Sequence, residues 1–319
     1  MLNEFILLEY FTAQSTINFK EKKSIFKEAI KLSNELALNF SRNSNIKKIH
    51  IIRNKSLKTI NNKKILTHSV CEKNKLEKIL EEFKNKTKLL LISPETEFKS
   101  LNLYKKLNEK FILLNSSFKE IKVFSSKFKT YEALKKNKIN AIKIEKELKE
   151  NIQYVSKPEF GTGSTDIVIF YKNKKNKNQK KNVIQKYYKG KKGSFAMLCY
   201  NKSFEILCCN EQLLKFKNNR IYQVGLIMGG LEPYRHEISE LGKKISNYFP
   251  NLFGYIGVDI IKVRNKWKVI EINPRFTSSY VGLEQSYGKT VINKINEFYI
   301  SKKLNEKKIK LKKKVEIYF

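Results

Sequence analysis

Aspartate is nearly missing from this chain, with two (Asp166 and Asp259) among 319 residues against 28 Glu. Arginine is also scarce, at six against 60 Lys. The guanidinium is the side chain that reads guanine and grips phosphate with a two-pronged fork. Its scarcity argues against a nucleic-acid-binding protein, even with a formal net charge of +36 at pH 7. Lysine and 32 Asn are scattered along the whole chain, so the charge reads as compositional drift and not as a patch. No apolar run approaches the roughly 18 residues that a membrane-spanning helix needs, and no membrane partner is expected. The four Cys have no framework spacing, and three well-separated His offer no metal-binding pattern. Core thiols in a reducing cytoplasm are expected. The opening MLNEFILLEYF places Glu4 and Glu9 inside an apolar run and reads as a buried first strand instead of a leader.

The chain does have enough apolar material for a core: 41% hydrophobic and 12% aromatic residues. Its length exceeds what one core fills, since single cores stop growing near ~250–300 residues, so two or three subdomains are expected. Up to about residue 115, short apolar strands alternate with helical spacing. Strands are expected at 5–10, 48–52, 89–92 and 111–114, with helices at 20–40, 76–83 and 101–107. That pattern predicts a parallel sheet covered on both faces. A helix is expected at 127–134 and a strand at 154–157. Segments 167–171 and 183–188 read as a strand pair, joined by the low-complexity KNKKNKNQKKN of residues 172–182. Beyond residue 193 come longer strands at 194–200, 204–209, 257–263 and 266–272. A helix is expected at 237–249, and Arg264-Asn265 forms a tight hairpin turn.

Two groups of residues carry chemistry. Lys157-Pro158 runs into Gly161-Thr162-Gly163-Ser164, a cation followed by flexible backbone N–H groups, which suits phosphate oxygens. The second group is stronger. Asp259 sits in an apolar strand, where an unpaired carboxylate is costly, and Glu271-Ile272-Asn273-Pro274-Arg275 follows one hairpin later. Period-two alternation puts Glu271 and Asn273 on one face. Two carboxylates and an amide oxygen are hard ligands suited to Mg2+, with Mn2+ as a substitute. Arg275 adds a fork for phosphate or carboxylate.

The ordered series Lys127, Lys157-Pro158, Gly161-Thr162-Gly163, Gln185-Lys186-Tyr187-Tyr188-Lys189-Gly190, Asp259 and Glu271-Ile272-Asn273-Pro274-Arg275 resembles the ATP-grasp superfamily of carboxylate–amine ligases. The resemblance implies an α/β (α+β grasp) fold of three parts. These are an N-terminal α/β pre-grasp domain (1–115), a small central lid domain (116–190) and a C-terminal antiparallel-sheet domain (191–319). It implies that Lys127 and Lys157 hold the phosphates of ATP under a lid at 161–164, and that Gln185, Tyr187 and Tyr188 meet adenine. Asp259, Glu271 and Asn273 would hold one or two Mg2+, and Arg275 would stabilise the transferring group. Ser278, Ser279 and Tyr280 are candidates for the carboxylate substrate. Two positions depart from the pattern: Ser126 precedes Lys127 where relatives often have Asp, and Gly257 stands where many have a basic residue. Leu8-Glu9-Tyr10, Gly193-Ser194-Phe195-Ala196, Cys209-Asn210-Glu211-Gln212 and Asn273–Tyr280 are further similar to the tyramine–glutamate ligase branch of methanofuran biosynthesis. The implied partners are a small acid and a small amine, with a homo-oligomer compatible. The activity implied is ATP-dependent amide formation through an acyl phosphate.

Overall fold

The computed structural model describes residues 2–15, 23–94, 99–161, 167–172, 182–304 and 309–319. The first layer is a five-stranded sheet of β1 (Glu4–Glu9), β2 (Lys48–Asn54), β3 (Ile65–Val70), β4 (Lys88–Ile92) and β5 (Ile112–Leu113). All pairings are parallel, in the order β3-β2-β1-β4-β5. Helix α1 (Lys23–Ser41) covers one face, packing Leu32, Leu36 and Phe40 against Phe5, Leu7 and Ile49. α2 (Leu76–Glu81) and α3 (Lys99–Lys110) cover the other, with Ile79, Tyr104 and Leu107 against Ile6, Leu8 and Leu91. Burial on both faces explains why β1 and β4 read as continuous apolar runs. β3 was not expected, because ILTHSV at the sheet edge mixes polar with apolar residues.

α4 (Phe118–Phe124) and α5 (Lys127–Lys136) then lead to β6 (Gln153–Pro158), β7 (Val168–Tyr171) and β8 (Asn182–Lys186). Here one expectation fails. β7 and β8 do not pair; each pairs antiparallel with β6, which lies between them. Val155 and Ser156 bond on both edges, so the apparent hairpin is a three-stranded sheet with its first strand in the middle.

The remaining strands are β9 (Lys192–Tyr200), β10 (Ser203–Lys217), β11 (Arg220–Met228), β12 (Gly254–Val263), β13 (Lys266–Asn273) and β14 (Val315–Tyr318). They join the preceding three in one nine-stranded sheet, order β13-β12-β9-β10-β11-β7-β6-β8, with β14 on β11. The link between the two parts is the single β7–β11 register pair, Val168 with Arg220. Glycine is scarce, and Asn takes its place in the turns. Asn201-Lys202, Asn218-Asn219 and Arg264-Asn265 all have positive φ at both central positions, the backbone of a tight hairpin turn. One face of this sheet packs on α6 (Arg235–Tyr248) through Ile238, Leu241 and Ile245. The other packs on α7 (Leu283–Tyr287) and α8 (Lys289–Ser301), neither of which was expected. α8 shares its core with α1: Phe40 meets Tyr299 edge-on at 5.7 Å, and Tyr299 stacks near Phe276. The two layers are therefore clamped together directly behind residues 275–280.

Candidate active site

Between the β6–β8 sheet and the β9–β13 floor lies a cleft of about 1600 Å3 including its open mouth. Its floor follows from strand alternation. Ile256, Val258 and Ile260 of β12 point at α6, which leaves Gly257, Asp259 and Ile261 facing the cleft side. β13 carries a bulge opposite Asp259/Ile260, with Ile270 as the extra residue. The bulge lets consecutive Ile270 and Glu271 both line the cleft.

Glu271 is the register partner of Asp259, and Asn273 is that of Gly257. Asn273 Nδ2 donates to Asp259 Oδ2 at 3.4 Å, and Gln212 Nε2 donates to Asp259 Oδ1 at 2.9 Å. Burial, then the facing Glu271 carboxylate, pushes the Asp259 carboxyl up to about 7. Two acids that repel each other in a desolvated cleft form a site prepared for a cation. Among the described residues no group of three or more His, Cys, Asp or Glu converges. The hard donor set is thus Asp259, Glu271 and the Asn273 amide, and it fits a divalent cation that completes its shell with phosphate oxygens.

Two lysines stand opposite. Lys127 Nζ lies 3.5 Å from Glu271 Oε1 and donates to the Gly161 carbonyl at 3.2 Å. Lys157 on β6 is buried, and desolvation brings its ammonium down to about 8 against the pull of Glu271 and Asp259. Ser126, where relatives often have Asp, is the N-cap of α5. Its hydroxyl accepts from Lys129 N–H and donates to Glu159 Oε1 at 2.5 Å. Ser and Asp are both good caps, so the departure leaves the start of α5 and the aim of Lys127 intact. Gly257 also has a local reason. A Cβ there would meet Thr277 Cγ2 at 2.5 Å, so no side chain fits, and the buried cation nearby is Lys157 from the facing sheet.

Beyond the lysines the cleft narrows to an apolar slot of Ile142, Ile261, Ile270 and Tyr188. Gln185 and Tyr187 line it too, with the Gln185 amide already donating to the Ile142 carbonyl at 3.0 Å. Lys192 sits 5.1 Å from the Tyr187 ring centroid, and burial lowers its ammonium.

The structure therefore brings Lys127, Lys157, Gly161, Gln185, Tyr187, Tyr188, Asp259, Glu271, Asn273, Arg275, Ser278 and Ser279 to one cleft. Thr162, Gly163 and Ser164 lie outside the described residues. Tyr280 does not reach the cleft. It is buried in the core behind it, edge-on to Phe276, with its hydroxyl accepting from Asn39 Nδ2 at 3.1 Å. Ser279 is tied to Tyr255 and Thr277 hydroxyls, which fixes the turn, while the Ser278 hydroxyl donates to Glu28 Oε2 at 2.6 Å. Sequence reasoning missed Glu28, Lys192, Ser194, Gln212 and Gln223. Ser194 is the β9 register partner of Asp259, and the expected strand pattern at 194–200 held that signal. Glu28 had none, because it arrives from the first layer.

Residues 124–279 match the family model of the ATP-grasp domain. No curated protein matches the chain in sequence. Among solved structures, an ATP-grasp superfamily protein from Archaeoglobus fulgidus superposes with a TM-score of 0.72 at 21% identity, over 92% of this chain and 88% of that one. An L-amino acid ligase from Bacillus licheniformis gives 0.67 at 15% identity, over 100% and 80%. The biotin carboxylase domain of the Hydrogenobacter thermophilus 2-oxoglutarate carboxylase, in complex with MgADP, ADP and bicarbonate, gives 0.66 at 14%, over 94% and 70%. The chain therefore has the ATP-grasp fold, and its residues 124–279 are similar to the ATP-grasp domain.

Proposed function

We propose that the chain is an ATP-dependent, ADP-forming ligase that joins a carboxylic acid to an amine. The observation that carries this reading is the facing pair Asp259 and Glu271, with Lys127 and Lys157 across the same cleft and an apolar slot beside them. The slot has the flat, apolar character that suits a purine, with Tyr188 and the Gln185–Tyr187 backbone at its edge. Lys127 and Lys157 neutralise the phosphates. Asp259, Glu271 and Asn273 would hold Mg2+, which would offset phosphate charge that the two carboxylates otherwise repel. The MgADP complex of the biotin carboxylase domain supports the choice of nucleotide and metal. Arg275 orients the acid so that its carboxylate oxygen meets the γ-phosphorus; the O–P bond forms and ADP leaves. The uncharged amine nitrogen then bonds to the acyl carbon and gives up one proton, and phosphate departs with one former carboxylate oxygen. The β6–β8 sheet screens the cleft from water, so that aminolysis outruns hydrolysis.

The division into a 1–115 pre-grasp domain, a 116–190 lid and a 191–319 C-terminal domain belongs to the same reading. It is supported by the two sheets and the single β7–β11 link. So are a cytoplasmic setting, supported by the free thiols, and a homo-oligomer, supported by the dimer of the biotin carboxylase domain. Among the described residues no helix is long and apolar enough to cross a membrane. The finer reading is that the acid is glutamate, through its γ-carboxylate, and the amine tyramine, in a methanofuran-type pathway; the local resemblances at 8–10, 193–196, 209–212 and 273–280 support it. An ADP-release screen of amino acids against amines, with glutamate and tyramine included, tests both levels. Release that requires an acid and an amine together supports the ligase. Turnover by another pair but not by glutamate with tyramine removes the finer reading.

A further inference from the structure

Among the described residues three carboxylates line the cleft: Asp259, Glu271 and Glu28. The first two face each other on the floor. Glu28 comes from the other layer, on the first turns of α1, and enters the cleft where α1 packs on the turn Ser278–Gly282. Its Oε2 accepts from Ser278 Oγ at 2.6 Å. No Lys or Arg among the described residues forms an ion pair with it, in a chain with 66 basic and 30 acidic residues. Neighbouring Glu9 provides the contrast. It is also buried and also within the field of Arg275, but both its oxygens are occupied by the backbone N–H groups of Phe11 and Thr12. Glu9 therefore holds the end of β1 in place. Glu28 has one oxygen bonded to a hydroxyl and the other open to the cleft, and burial raises its carboxyl above the ordinary value. A half-buried carboxylate without a cation partner is costly unless a ligand supplies one.

The geometry of the reaction says where such a ligand belongs. The phosphorylated acid must sit with its phosphate toward Lys127, Lys157 and the floor carboxylates. The leaving phosphate points that way, so the acyl carbon lies on the side of the α1 wall, and the nitrogen reaches the face of its carbonyl from the space that Glu28 and Ser278 line. Arg275 lies within the field of both groups, acting on Asp259 on the floor and on Glu28 on the wall. We infer that Glu28, held by Ser278, receives the ammonium group of the amine substrate, takes one proton from it so that the nitrogen lone pair is free, and sets its line of approach. The inference rests on the ligase reading above. It names the amine's recognition group, a cation drawn to a carboxylate supplied by the N-terminal layer.

Hydroxylamine separates the two half-reactions. It is largely uncharged at neutral pH and traps an acyl phosphate as a hydroxamate without needing an ammonium site. The probes are ATP, the acid giving the strongest ADP release in the screen, and either hydroxylamine or the best amine. Glu28→Gln is expected to form hydroxamate with the wild-type rate and acid KM. The same variant should raise the KM for the amine about 10–100-fold, the loss of one charge-assisted hydrogen bond. Ser278→Ala should raise it less, since the carboxylate remains. Retained hydroxamate formation also proves the variant folded. The inference is overturned if the amine KM is unchanged. It is equally overturned if the acid KM rises instead, which would assign Glu28 to an ammonium on the acid. If wild-type protein yields no hydroxamate with any acid, the ligase reading itself fails, an outcome distinct from either of these.

Discussion

Gly257→Ala is a small change at a position where the structure leaves no room. The backbone there is ordinary strand, without positive φ, so alanine meets no torsional penalty. The penalty is steric. The new Cβ would lie 2.5 Å from Thr277 Cγ2, against an ordinary carbon contact of about 3.5–4.0 Å. Something must move by roughly 1 Å, and overpacking of this kind costs about 1–3 kcal/mol. Thr277 begins the turn that carries Ser278 and follows Arg275, so the shift should also disturb the cleft. Urea unfolding of Gly257→Ala should show a loss of that size, with a matching fall in ADP release. Thr277→Ser removes Cγ2 and leaves Oγ1 at 3.2 Å, with its bond to Ser279 preserved. The double variant should recover more than half of the lost stability and part of the activity. Strict additivity of the two changes would refute the packing argument, since residues in contact should couple.

Other expectations follow from the same geometry. Glu271→Gln should abolish ADP release while leaving the fold intact, because it removes one of the two facing carboxylates; unchanged turnover would mean the site is misassigned. Glu9 is buried with a raised carboxyl, so its ionised form opposes folding once pH exceeds the unfolded value near 4.5. The folded state binds that proton more tightly, so acidification favours it. The difference in unfolding free energy between wild type and Glu9→Gln should therefore shift toward wild type as pH falls from 7 to 5. A constant difference across that range would count against the burial argument. Cys199, Cys208 and Cys209 are buried, and burial pushes the Cys208 thiol up to about 12. A disulfide-exchange reagent should modify Cys71 alone in native protein and all four thiols in denaturant.

The legible parts of the sequence were those where one local pattern decided the outcome. β1, β4 and the 263–266 hairpin carry their own signals: unbroken apolar runs, or a two-residue turn with Asn. Asp259, Glu271 and Asn273 were legible because strand alternation and one tight turn fix their mutual placement. β11 was hidden. Residues 212–217 and 220–226 mix Gln, Lys and Tyr with apolar residues, since one side of this hairpin faces an open cleft instead of a core. The β6–β7–β8 order was hidden for a different reason. Sequence neighbours such as 168–171 and 182–186 look like partners, and only three-dimensional pairing shows β6 between them. Tyr280 shows the limit of reading by adjacency, because a polar tip two residues from Ser278 points into the core. Glu28 lies 250 residues from Ser278 in sequence, and nothing local could join them.

The central claim is that phosphoryl transfer to a carboxylate precedes amide formation in the cleft of Asp259, Glu271, Lys127 and Lys157. Turnover of an acid labelled with oxygen-18 in its carboxylate tests it directly, read by mass analysis of the released phosphate. The account predicts that each phosphate carries one labelled oxygen, transferred when the carboxylate attacked ATP. Label found only in the amide product, with unlabelled phosphate, would contradict it.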